Sequence, residues 1–323
     1  MHVDHVQTAN PAETGLPFGR RGFLRSGVMV AAAAGVAGTV VAPATSALAH
    51  GSAPVGRRRV PADQISIQLY TVRDVLAADP AGTLAALADI GYTKVELAGT
   101  AGLTAAAFRA LLDANGIRAT SGHFGIPQPF DATAWRATLA DARTLGCRYV
   151  VHPFFGVDAN GPIRDAAVWR AFARDLNRAG AMAREAGFRF GYHNHHFEFL
   201  PLSDGSGRTA FDLLTATADR RLVHLELDLY WSWRGTADPV DVIHEHRGRV
   251  LQFHVKDMNI DSGFADPGTG LIDFRRIFAQ SDVAGVREYI VERDDAGTAE
   301  GRDPEDALDT AAVGYEFLRN IRF

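Results

Sequence analysis

The sequence predicts an α/β protein, a single (β/α)8 TIM barrel that follows an N-terminal signal segment. Three observations lead there. From Gln64 onward a short apolar, β-branched run alternates with a longer alanine-rich amphipathic run, eight times in all. Strand–helix alternation implies parallel pairing with right-handed crossovers, and eight units in roughly 250 residues are the size and count of a closed barrel. The alternative, a doubly wound open sheet, is weakened because no G-x-G-x-x-G follows the first strand.

The eight predicted strands are 64–72 (QISIQLYTV), 94–99 (KVELAG), 118–125 (RATSGHFG), 149–155 (YVVHPFF), 188–199 (FRFGYHNHHFEF), 222–232 (LVHLELDLYWS), 250–258 (VLQFHVKDM) and 286–294 (VREYIVERD). Between them lie amphipathic runs such as PAGTLAALADIG and TAWRATLADARTLG, several closing at Gly91, Gly116, Gly146 or Gly187. A glycine just past the last periodic residue is the expected helix stop. The barrel is assigned to residues 63–323.

Composition narrows the function. With 47% hydrophobic and 22% charged residues the chain is an ordinary globular one. A formal net charge of -5 offers no basic footprint for nucleic acid. The only cysteine, Cys147, excludes disulfides within the chain and an all-thiolate metal site. Any metal must be held by imidazole and carboxylate.

The first 49 residues form a separate unit. Arg20-Arg21 precede Phe23-Leu24, then a short Ala/Gly-rich apolar core, then Ala47-Leu48-Ala49. That order resembles a twin-arginine export signal ending in a small-x-small cleavage site. The apolar core is shorter than the roughly 20 residues a membrane span needs. Residues 50–62 read as a flexible leader. The expectation is an exported protein, periplasmic or extracellular, carried by the twin-arginine machinery.

In a barrel the site is built at the carboxyl ends of the strands. There the sequence places Glu96, His123, His152, His193 with His195, Asp228, His254 with Lys256, and Glu292. Their shared placement, rather than any single histidine, is the signal. Side chains alternate along a strand, so His193 and His195 share one face while Tyr192 and Asn194 take the other. Glu226 shares a face with Asp228, and His254 with Lys256. One ligand from each of the last four strands gives His193, Asp228, His254 and Glu292. Two imidazoles and two carboxylates suit a divalent ion such as Mn²⁺, Zn²⁺, Co²⁺ or Fe²⁺. His195 then lines or orients the pocket, and Glu198 falls in the loop beyond.

The ordered motifs GYHNHHFEF, ELDLYW, FHVKD, GTGLIDF and IVERD resemble the xylose isomerase-like TIM-barrel superfamily over about residues 64–323. Within it the chain is most similar to the sugar phosphate isomerase/epimerase branch, related to inosose dehydratases and ketose 3-epimerases. In the ketose 3-epimerases the metal is held by Glu, Asp, His and Glu. The resemblance carries over to Asp228, His254 and Glu292, whereas His193 stands in place of the first glutamate. A proton shuttle between two carboxylates is therefore not carried over.

The expected chemistry is removal of a proton beside a carbonyl, with the enediolate stabilised by the ion and by Lys256. Glu292, His152, His123 and Glu96 are candidate bases. His123, His195, Tyr230 and Trp231 are candidate substrate contacts, the aromatic ones by stacking on a sugar face. Reprotonation gives isomerisation or epimerisation; loss of a β-substituent gives dehydration or glycoside elimination. Export favours a free or oxidised sugar, cyclitol or glycoside over a sugar phosphate. DPGTGLIDF reads as a turn, with backbone N–H groups offered to a phosphate as the other reading. A metal-dependent hydrolase and a non-catalytic sugar-binding barrel stay open, and the sequence is compatible with a homo-oligomer.

Replacing Arg20 and Arg21 together by lysine is expected to keep the protein in the cytoplasm, as read by cell fractionation. Continued export of the double variant would contradict the twin-arginine reading.

Overall fold

The structure, a computed structural model, describes residues 56–297 and 306–323. The segment expected to be an export signal and the first part of the expected leader lie outside the described residues. The rest of the leader corrects the expectation of flexibility. Arg58 and Phe323 exchange backbone hydrogen bonds at 3.1 Å, and Val60 is buried. The chain is tied down several residues before the first strand.

All eight expected strands form: β1 (Ile65–Gln68), β2 (Lys94–Leu97), β3 (Arg118–Gly122), β4 (Tyr149–His152), β5 (Arg189–His193), β6 (Val223–Asp228), β7 (Val250–Val255) and β8 (Glu288–Val291). Their neighbours pair in parallel, and β8 pairs with β1. The remaining seam, between β3 and β4, is held by Arg148 N–H to Thr120 O at 2.9 Å and Phe124 N–H to Val151 O at 2.8 Å. The barrel is nearly closed. Its outer layer contains α1 (Pro80–Ile90), α2 (Ala105–Ala114), α3 (Ala132–Leu145), α4 (Ala166–Glu185), α5 (Ala210–Thr217), α6 (Pro239–Glu245), α7 (Phe274–Phe278) and α8 (Asp306–Asn320). The side chains of Thr104, Asp131, Asp165, Thr209 and Asp238 accept the first free N–H groups of α2 to α6.

The barrel interior departs from the usual filling of branched aliphatic residues. His224 meets Gln252 at 2.9 Å, and Gln252 donates to Ser121 at 2.9 Å, all three buried. Gly191 makes room for this layer: a Cβ there would sit 2.5 Å from His224 Nε2. Several predicted strands overran their real ends. After β6 the chain turns into the helix Leu229–Arg234, because Asp228 accepts the Trp231 N–H at 2.7 Å and caps it.

The loop after β7 is organised by one carboxylate. Asp257 is fully buried and accepts N–H groups from Met258, Gly268, Gly270 and Ile272 at 2.8–3.1 Å. The backbone donors of DPGTGLIDF thus already hold an anion, and the turn reading stands. Asp257→Ala should leave these buried donors without a partner, a cost of about 1–3 kcal/mol per group. Amide exchange at Gly268, Gly270 and Ile272 is then expected to accelerate relative to the barrel strands. Unchanged protection would remove Asp257 as the anchor.

Candidate metal centre

Period-2 alternation on the last four strands turns one ligand-capable side chain after another into the barrel mouth. His193 ends β5, Asp228 ends β6, His254 lies on β7 and Glu292 follows β8. One ligand atom from each lies within 4.8 Å of all the others, and all four residues are buried. Donors about 2.0–2.2 Å from a common ion can be at most about 4.4 Å apart, so the spread of the group is close to what one ion spans. His193 Nε2 is 3.9 Å from Asp228 Oδ2, and His254 Nδ1 is 2.6 Å from Glu292 Oε2. Asp228 Oδ2 is buried without a hydrogen bond, though Lys256 Nζ stands 3.1 Å away. A buried carboxylate oxygen left in this condition fits a cation-binding role.

Lys256 points into the mouth, not out among the helices. Its ammonium is 2.8 Å from Glu292 Oε2 and 2.6 Å from Asp294 Oδ1, beneath the rings of Trp231 and Phe264 at 5.3 and 5.8 Å. Burial alone would lower its pKa, but Asp228, Asp294 and Glu292 raise it well above the ordinary lysine value. Burial alone would raise Glu292, whereas Lys256 and His254 hold it well below the carboxylate range. Asp294, unremarked in the sequence, is pushed up to about 7 by burial against the pull of Lys256.

Beneath this group lies Glu226, whose Oε1 faces three imidazoles. It is 2.8 Å from His123 Nε2, 3.1 Å from His193 Nδ1 and 3.0 Å from His254 Nε2. Burial would raise its carboxyl, but the histidines, His254 foremost, hold it well below the usual range. Its position two residues before Asp228, on the same face, was the available signal. Glu96 is on the same level: it accepts from Gln68 at 2.9 Å and Ser121, and its Oε2 lies 2.6 Å from His254 Nε2. Burial and the neighbouring Glu226 charge push Glu96 up to about 7. His123 stacks on His254 at 5.3 Å and turns its Nε2 to Glu226.

His152 requires a correction. Its Nδ1 accepts the Ile126 N–H at 2.9 Å and its Nε2 donates to Phe154 O at 2.9 Å. Burial lowers its pKa to about 3. With both nitrogens consumed by backbone it straps the loops after β3 and β4, and no nitrogen is left to act as a base.

The remaining predicted residues form an aromatic wall. His195 lies between Phe154 at 5.1 Å, Phe197 at 5.3 Å and Trp231 at 5.3 Å, with its Nδ1 buried and unpartnered. Burial, His193 and Lys256 keep it neutral, its pKa well below the usual value. Tyr230 stacks on Phe264 and donates its hydroxyl to Ser262 O at 2.9 Å, so it packs the rim. Glu198 lies in the loop after β5, as expected, yet is fully buried. It accepts from Tyr192 Oη at 2.7 Å and from the His195 N–H at 3.0 Å, and burial pushes it up to about 8. Asn194, on the opposite face from His193, accepts the Asp228 N–H at 3.0 Å and ties β5 to β6 just where their ligands emerge.

Comparison with known proteins agrees with this architecture. The inosose dehydratase of Geobacillus kaustophilus is 25% identical over 235 residues, 61% of this chain and 74% of that one. That of Clostridium beijerinckii is 26% identical over 141 residues, 38% of this chain and 46% of its own length. Among solved structures, a sugar phosphate isomerase/epimerase from Parabacteroides distasonis superposes with a TM-score of 0.68 at 24% identity, covering 86% of this chain and 98% of the other. The family model for the xylose isomerase-like TIM barrel matches residues 84–320. With most of its length inside that match, the chain belongs to the xylose isomerase-like TIM barrel family.

Proposed function

We propose that the protein is a divalent-metal-dependent sugar isomerase or epimerase acting on a free or oxidised sugar, cyclitol or glycoside. One observation carries the reading: four ligand atoms from the last four strands lie within 4.8 Å of one another, with a buried ammonium against two of them. The relatives named inosose dehydratase and the structural neighbour named sugar phosphate isomerase/epimerase support an enzyme of the sugar isomerase, epimerase or lyase kind.

His193, Asp228, His254 and Glu292 would hold the ion. A bound Mn²⁺, Zn²⁺, Co²⁺ or Fe²⁺ would supply Lewis-acid polarisation of a carbonyl and its neighbouring hydroxyl, acidifying the adjacent C–H. Glu292, held ionised by Lys256 and His254, accepts the proton. Lys256 offers a fixed positive charge to the substrate oxygen on which negative charge develops, at no reorganisation cost. The wall of Trp231, His195 and Phe154, backed by Phe197, presents apolar ring faces to sugar C–H groups and keeps water from the enediolate. Return of the proton to another face or carbon gives the epimer or isomer.

Dehydration at the same site is the second reading, favoured by a specific observation. On the β5 side the group is an imidazole, His193, with one nitrogen already on Glu226. The second carboxylate of a two-sided proton shuttle is missing there, and elimination needs no such shuttle.

Elemental analysis followed by a screen of keto-sugars, inososes and 3-keto-glycosides, with and without chelator, tests the proposal. About one divalent ion per chain and chelator-sensitive conversion are expected, with an epimer or isomer as product in the first reading and a dehydrated product in the second. Metal-free protein with chelator-insensitive turnover would overturn both. In the same assay Lys256→Met should lower turnover by roughly 10²-fold while metal content is retained. Near-normal turnover would remove Lys256 from the chemistry.

A further inference from the structure

We propose that Glu226 is a positioning residue that fixes which ring nitrogen of His193 carries a proton and thereby turns the other nitrogen towards the metal pocket. The inference rests on the metal-site reading above. Each ring spans two carboxylate layers. His193 presents Nδ1 to Glu226 Oε1 at 3.1 Å and Nε2 to Asp228 Oδ2 at 3.9 Å. His254 is reversed, with Nε2 at 3.0 Å from Glu226 Oε1 and Nδ1 at 2.6 Å from Glu292 Oε2. An ionised carboxylate only accepts hydrogen bonds, so the His193 nitrogen that faces Glu226 carries the hydrogen. The lone pair of His193 is then at Nε2, on the side of Asp228, whereas His254 meets a carboxylate at both of its nitrogens and is not assigned by Glu226. A histidine ligand whose second N–H is held by a carboxylate has its tautomer and ring orientation set in this way.

The two rings differ in how much they depend on Glu226. His254 Nε2 also lies 2.6 Å from Glu96 Oε2, a second acceptor. For His193 Nδ1, Glu226 is the acceptor the structure provides. Loss of the Glu226 charge should therefore release His193 and leave His254 in place. A rival arrangement exists, because ligand atoms of His123, His193, Glu226 and His254 also lie within 4.8 Å of one another. A second ion that took His193 Nδ1 there would displace the hydrogen this proposal places on it.

The test uses protein labelled with ¹⁵N-histidine, with Zn²⁺ as the probe and long-range ¹H–¹⁵N spectra to report the tautomer of each ring. In the wild type His193 is expected as the Nδ1–H form, with one Zn²⁺ per chain. Glu226→Gln should shift His193 partly to the Nε2–H form, leave His254 unchanged and weaken Zn²⁺ binding by roughly 10- to 100-fold. A general loss of packing would disturb both rings, so the selective change separates positioning from scaffolding. An Nε2–H His193 in the wild type, two Zn²⁺ ions per chain, or a variant with unchanged His193 and unchanged affinity would each overturn the proposal. If Glu226→Gln fails to fold, the wild-type tautomer and Glu226→Asp, which keeps the charge and should keep the Nδ1–H form, decide it. A wild type that binds no divalent ion defeats the metal-site reading itself. Zn²⁺ binding with an Nε2–H His193 defeats only the role of Glu226.

Discussion

Carboxylates crowded into the mouth of the barrel impose the constraint that the rest of the structure answers. Glu96, Glu226, Asp228 and Glu292 are buried, and the Asp294 side chain is only 18% exposed. Ionised carboxylates taken from water cost several kcal/mol each unless paired. Lys256 answers three of them, and His254 bridges Glu96 and Glu226 below to Glu292 above. The compensation is incomplete: Glu96 and Asp294 are both pushed up to about 7, and one oxygen each of Glu226 and Asp228 has no hydrogen bond. Surplus buried negative charge with converging oxygen and nitrogen donors fits the cation proposed for this site.

That arrangement depends on register across the barrel. Asp228 pairs with His254, and His254 pairs with Ile290, so Glu292 stands one inward step above its neighbour. Asn194 joins β5 to β6 at the level of the ligands, and Asp257 organises the loop that covers Lys256. These residues touch no reacting atom in the proposed chemistry. They set where the residues that do touch it can stand.

Much of this was legible in the sequence. Eight β-branched runs separated by amphipathic runs specified the barrel, because both periodicities follow from backbone geometry alone. Alternation then selected His193, Asp228, His254 and Lys256 for one face, since a two-residue period leaves little freedom at a strand end. The sequence did not show what depends on contact across the barrel. Glu226 meets His123 and His193 from strands 103 and 33 residues away in sequence, and nothing local marks that meeting. His152 occupies the same kind of strand end as His193, yet backbone groups from two loops capture its ring. The packed part of the leader was also hidden, because its partner, Phe323, is at the far end of the chain.

In the proposed metal centre His193, Asp228, His254 and Glu292 enclose one cation. Anomalous diffraction from crystals grown with Mn²⁺ tests it most directly. A single peak is expected within about 2.0–2.3 Å of one atom from each of the four. A peak instead among His123, Glu226 and the inner nitrogens of His193 and His254, or no peak in the barrel mouth, would contradict it.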